Sequence, residues 1–212
     1  MDKYLKSIKK IFNEFSESKY GAEKAAVLWK ETERIYREFI SETPSIGGRK
    51  NIMAHNLYEM LVFFAFYEAC GRSLDGNDIE ELTNLYLKKF KSMGRFINLN
   101  RLVNIERKII YKLISLYKKK VDRYKGGEWN NTWGVEINPE NHKTGIALTL
   151  VGCPIADFAK KHGYEDIMPY FCNVDHLAAQ MLHGRLIRKH TVAQGYDSCD
   201  YWIVGDKEDD KI

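Results

Sequence analysis

The stretch Gly126–Val151, GGEWNNTWGVEINPENHKTGIALTLV, is where the chain changes its period. Before it, apolar residues recur at helical spacing. Within it, Trp129, Trp133, Val135 and Ile137 alternate with Asn130, Thr132, Gly134 and Glu136. Period two puts successive side chains on opposite faces, the pattern of a half-buried strand. Asn138-Pro139-Glu140-Asn141 reads as a turn and Thr144–Val151 as the returning strand. Arg185–Val192 and Cys199–Val204 read as two more strands, joined by a turn at 193–198. The expected fold is α+β. An N-terminal helical lobe of about five helices, residues 1–125, packs with a small C-terminal antiparallel sheet carrying inserted helices, residues 126–206. At 212 residues and 24.8 kDa, a single domain over 1–212 is expected.

Working back toward the N-terminus, the helical signals are regular. Tyr4, Ile8, Ile11, Phe12 and Phe15 form one apolar stripe, with Lys3, Lys6, Lys9 and Lys10 on the remaining face. Ala25, Leu28, Trp29, Thr32, Ile35, Tyr36 and Phe39 form a second. Ile52–Cys70 is apolar on nearly all sides and is expected to be the central buried helix; its first turns carry Asn51, His55, Asn56 and Glu59. Asn77 or Asp78 is expected to cap a helix ending near Met93. Asn98 or Asn100 should cap another over Arg101–Tyr124, with the stripe Leu102, Ile105, Ile109, Leu113 and Leu116, widened by Ile110, Ile114, Tyr117 and Val121. The tail KEDDKI is expected to fray.

Composition narrows the function. Hydrophobic residues make up 44% and charged residues 29%, a globular balance. The net charge of +4 comes from Lys and Arg spread over amphipathic helices, so no nucleic-acid partner is expected. The N-terminus carries no apolar run or small-residue cleavage site, and the run Met60–Cys70 is short and interrupted by Glu68, so no export and no membrane partner are expected. A cytoplasmic location with reduced cysteines follows from that expectation. No CxxC, HxH or HExxH spacing occurs, so neither a metal nor a cofactor is expected. There is no P-loop, dinucleotide fingerprint or nucleophile elbow.

Reactive residue types concentrate between Thr149 and Asp206. Cys153 follows a strand and precedes Pro154, which favours the first helical position; at the N-cap, the helix dipole would lower a thiol's pKa. A small buried cysteine is the plainer reading. Asp175 is placed either to cap a helix from His176 to His183 or to lie within a longer helix from Met168, where Cys172 and His176 sit four apart. Such a pair can act as nucleophile and base. Arg188 and His190 are expected on one strand face, opposite Cys199, Asp200 and Trp202; Arg188 could grip a carboxylate or pair with Asp200. Gly47-Gly48 in the linker before Asn51 could cradle an anion or serve only as a helix–helix connection.

Several of these segments together resemble the L-2-amino-thiazoline-4-carboxylic acid hydrolase family. They are IGGRKNIMAHNLYE at Ile46–Glu59, Cys153-Pro154, Cys172 with Asp175 three residues on, Arg188, and TVAQGYDSCDYW at Thr191–Trp202. The resemblance spans roughly Pro44–Val204. It implies hydrolytic opening of a small cyclic amidine-type ring to an N-carbamoyl amino acid. On that basis Cys172, Asp175, His176 and Cys199 are the candidate catalytic residues. Cys172 or Cys199 would be nucleophile or polar wall, Asp175 base and His176 proton carrier. Arg188 would anchor a substrate carboxylate, with Gly47, Gly48, Asn51 and Cys153 completing the binding site. The expected partner is a small carboxylate-bearing substrate, and a homo-oligomer is compatible with the sequence. Two other readings stand beside the hydrolase: a binding or sensing module with a cysteine-lined pocket for a small molecule or metal, and an interaction protein whose cysteines are core residues.

Overall fold

A computed structural model describes residues 2–207, apart from the side chains of Asp2, Lys3, Lys89 and Asn104. Of the tail expected to fray, Glu208–Ile212 lie outside the described residues. The chain runs α1 (Asp2–Tyr20), α2 (Ala22–Glu42), α3 (Ala54–Ala69), α4 (Gly76–Met93), α5 (Leu99–Asn104), α6 (Arg107–Tyr124), β1 (Gly134–Ile137), β2 (Ile146–Val151), α7 (Pro154–His162), α8 (Met168–Met181), β3 (Gly184–Ile187) and β4 (Ser198–Gly205). This is the α+β architecture expected from the change of period. The long helix expected over Arg101–Tyr124 is broken at Ile105–Glu106 into α5 and α6. Among the described helices, none is long and apolar enough to cross a membrane.

Local signals set most helix ends. Asp75, one turn earlier than the expected Asn77 or Asp78, caps α4. Its carboxylate accepts from the Asp78 amide at 3.0 Å while Asp78 accepts from the Asp75 amide at 3.2 Å. Asn98 caps α5 as expected. Helix α3 is the buried axis of the helical lobe: Leu57, Leu61, Val62, Phe64 and Ala65 are all fully enclosed. Each such side chain contributes about 1.5–3 kcal/mol by leaving water. Aromatic rings join α3 to its surroundings, with Phe12 and Phe66 centroids 4.4 Å apart and Phe64 stacked on Tyr164 at 4.9 Å. The same buried cluster extends to Phe158, Ile167 and Met168, so the helices inserted in the C-terminal half share it.

The four strands form one antiparallel sheet in the order β1-β2-β4-β3. Two hairpins, β1–β2 and β3–β4, meet where β2 pairs with β4, and α7 and α8 lie between them in sequence. Strand β3 is shorter than expected. It stops at Ile187 because the Asp200 carboxylate captures the Lys189 amide at 2.9 Å and the His190 amide at 2.6 Å, drawing both away from the strand ladder. Helix α6 buries only part of its broad apolar stripe. Its inner face is Ile110, Ile114, Tyr117 and the fully buried Val121, whereas Ile105, Ile109, Leu113 and Leu116 are exposed at 79, 60, 56 and 55%. The helix has apolar residues on two faces and the sheet covers one of them.

Candidate active site

A cavity of about 190 Å³ lies where α3 and α4 meet α8 and the sheet. Helical periodicity supplies three of its walls. Asn56, Glu59, Met60 and Phe63 share one face of α3, Thr83, Tyr86 and Phe90 one face of α4, and Phe171, Cys172, Asp175 and Ala178 one face of α8. Strand alternation supplies the fourth, with Cys199 and Tyr201 from β4 pointing the same way. Arg188, just past β3, and Cys153, just before α7, complete it.

The polar centre of the sheet side is built around Arg188. Its side chain is only 4% exposed, and Nη1 donates to Asp175 Oδ2 at 2.8 Å. Nη2 donates to the Cys172 carbonyl. The guanidinium also lies over the Tyr201 ring, 5.0 Å from its centroid, and the Tyr201 hydroxyl donates to the same Asp175 oxygen at 2.9 Å. Burial alone would pull the Arg188 pKa down, but Tyr201 and Asp175 outweigh it and hold the group above its ordinary value. Burial and the neighbouring Asp175 charge push the Tyr201 phenol well above its usual range, so it stays protonated. Asp175 is therefore not a cap: α8 runs through it from Met168 to Met181, and Arg188 pairs with Asp175 rather than with Asp200, the alternative partner the sequence offered.

Three of the four cysteines line this cavity. Cys153 occupies the N-cap of α7 with Pro154 behind it, as expected, but its thiol makes no capping bond. Burial pushes the Cys153 thiol up to about 11 and the Cys172 thiol to about 12, even with Arg188 pulling the latter down. Cys199 is likewise raised by burial, although its sulfur accepts from the Val192 amide at 3.3 Å. Of the two readings of Cys153, the small buried cysteine fits better than the activated thiolate: removal from water costs the anion more than the dipole returns.

Four predicted residues lie elsewhere. His176 turns away from the cavity lining, and burial followed by the Arg188 charge lowers its pKa. Gly47 packs against Trp129 so closely that an added Cβ would sit 2.0 Å from the indole nitrogen, and Gly48 faces open space; both have positive φ. Neither lines the cavity. Asn51 is 3% exposed and acts as a latch. Its amide donates to the Ile46 carbonyl at 2.7 Å and to Thr132 Oγ1 at 2.9 Å, while its oxygen accepts from the Met53 amide and the Tyr117 hydroxyl. The linker thus ties α3 to α6 and the segment before β1.

Sequence reasoning missed Tyr86 and Tyr201. Of the polar residues in the first turns of α3, His55 is exposed and binds the Ile52 carbonyl, whereas Glu59 faces the cavity and accepts from the Tyr86 hydroxyl at 2.6 Å. The available signal was the shared face of Asn56, Glu59 and Phe63. Among the described residues, no group of three or more His, Cys, Asp or Glu is placed to hold a metal ion.

Fold and site together define an α+β protein with a small, largely apolar cavity whose polar groups include two carboxylate–tyrosine pairs, a guanidinium and three thiols. The model of the family described as L-2-amino-thiazoline-4-carboxylic acid hydrolase matches residues 55–203. The chain belongs to that family. The match begins after Ile46–Ala54, so the linker glycines and Asn51 fall outside it. No curated protein matches the chain.

Proposed function

We propose that this protein is a hydrolase that opens a small cyclic amidine-type ring, 2-amino-thiazoline-4-carboxylate or a related heterocycle, to an N-carbamoyl amino acid. The observation that carries the reading is the convergence of Asp175, Arg188 and Tyr201 on one cavity of suitable size in a chain of this family. Arg188 has five N–H donors; Asp175 and the Cys172 carbonyl take two, and the others are available to a substrate carboxylate.

Both bonds to Asp175 fall on Oδ2, which leaves Oδ1 to take a proton from water. That water adds across the ring carbon–nitrogen double bond, its oxygen joining the carbon between nitrogen and sulfur while Asp175 passes the proton it took to the ring nitrogen. The carbon–sulfur bond then breaks, the oxygen becomes the carbonyl of the new urea, and the hydroxyl proton passes to the departing sulfur. Protonated thiols suit Cys153, Cys172 and Cys199 to a cavity wall better than to attack on carbon. His176 does not line the cavity and takes no step in this route.

The chain works in this reading as a single domain, since one buried cluster spans both halves of the cavity wall, and it acts in the cytoplasm, where its cysteines stay reduced. Incubation with L-2-amino-thiazoline-4-carboxylate should release N-carbamoylcysteine, seen as a new free thiol and by mass. A protein that is thermally stabilised by the compound but releases no thiol would instead be a binding or sensing module, the reading that the protonated thiols favour.

A further inference from the structure

The helical wall of the cavity carries a carboxylate of its own. On the helical side Glu59 is set among aromatic rings. Tyr86 donates its hydroxyl to Glu59 Oε2 at 2.6 Å. Phe63 meets Tyr86 edge-on with centroids 5.6 Å apart, and Phe90 tilts against Tyr86 at 6.3 Å. Phe171, from α8, meets Phe63 edge-on at 5.3 Å. All four rings line the cavity.

Ring faces carry negative quadrupole charge and attract a cation, most strongly where water is excluded. A carboxylate set among such rings adds a full charge and a hydrogen-bond acceptor. A flat, delocalised cation gains from both, because it can lie along a ring while its N–H groups reach the carboxylate. A neutral ring of the same shape gains only apolar contact. We propose that Glu59, with Phe63, Tyr86, Phe90 and Phe171, is the seat for the amidinium of the ligand, opposite the Arg188 end that takes its carboxylate. This rests on the ring-opening reading for the identity of the ligand, but the seat has its own test. Glu59 touches the ligand, and Tyr86 is a positioning residue that holds the carboxylate in place. Burial, then the Glu59 charge, raises the Tyr86 pKa, so the phenol remains a donor.

The experiment compares two probes of nearly equal shape by titration calorimetry at neutral pH: 2-amino-2-thiazoline, a cation, and 2-methyl-2-thiazoline, which is neutral. Wild-type protein should prefer the cation by about tenfold or more, a difference of about 1.4 kcal/mol. Glu59→Gln should bring the ratio close to one, and Tyr86→Phe should reduce it. Asp175→Asn should leave the preference in place. Equal binding of the two probes by wild type overturns the seat without recourse to any variant. A preference lost in Asp175→Asn and kept in Glu59→Gln also overturns it, by moving the cation to the sheet side. Failure of the hydrolase reading looks different: wild type would prefer the cation yet release no thiol from 2-amino-thiazoline-4-carboxylate.

Discussion

Replacing Asp175 by Asn separates the stability role of this residue from its proposed chemistry. The substitution keeps the shape and an oxygen for Tyr201 but removes the charge opposite a guanidinium whose side chain is 4% exposed. Breaking a fully buried ion pair costs about 3–5 kcal/mol. Here the Asp175 side chain is 44% exposed, so water screens part of that loss. Arg188 also keeps its bond to the Cys172 carbonyl and its contact with the Tyr201 ring. A cost of about 1–2 kcal/mol is therefore expected, which in a chain of this size lowers the melting temperature by about 2–8 °C. The proposed loss of a general base is much larger in rate, about 100-fold or more in kcat. The assay is thiol release from L-2-amino-thiazoline-4-carboxylate, run well below the melting point of the variant and paired with circular dichroism. Turnover within about threefold of wild type in a folded Asp175→Asn protein would refute the role of Asp175 as base. A melting temperature unchanged from wild type would refute the strength assigned to the Arg188–Asp175 pair.

Four further outcomes are expected. Arg188→Ala should cut turnover severely and raise KM for the carboxylate-bearing substrate more than for an analogue lacking the carboxylate; equal effects on both would remove Arg188 as anchor. Stability should fall at alkaline pH. Thiols whose folded pKa is raised to about 11 and 12 stay protonated in the native state while the unfolded chain ionises near pH 8.5, so their contribution is complete below about 8.5 and is lost as pH rises toward 11. Cys153 and Cys172 should each add up to about 1.4 kcal/mol per pH unit to that fall, and a double Cys→Ser variant with an unchanged alkaline slope in denaturant titrations would contradict it. Gly47→Ala should destabilise by about 2 kcal/mol or more, since it combines a left-handed φ with a Cβ inside the Trp129 ring; a melting temperature equal to wild type would show that the linker yields. Leu113→Glu should change stability by less than about 0.5 kcal/mol, because the side chain is 56% exposed on the uncovered face of α6; a large loss would mean that this face is covered in solution.

The elements were legible wherever a local rule governed them. The Trp133–Val135–Ile137 alternation marked β1, the all-round apolarity of Ile52–Cys70 marked the buried helix, and Asn98 marked the start of α5. Each depends on residues within one or two turns of each other. Cys153, Cys172, Asp175, Arg188 and Cys199 were found as reactive types in one C-terminal stretch, and they line one cavity. Their state was not legible. The N-cap position of Cys153 left an activated thiolate and a small buried cysteine both open; burial sets its pKa, and around it lie Trp133, just before β1, and Leu150 of β2, which come earlier in the chain.

What the sequence determined by itself was the order and type of the elements and the residues available for chemistry, because period, capping and turn formation act over a few neighbouring residues. What only the tertiary structure decided was which of those residues meet. It paired Arg188 with Asp175 rather than Asp200, turned Asn51 into a latch on Thr132, left half of the α6 stripe in solvent, and brought Glu59 and Tyr86 to the same cavity as Tyr201. These contacts join positions far apart in sequence, where distance and removal from water, not spacing along the chain, determine the energy.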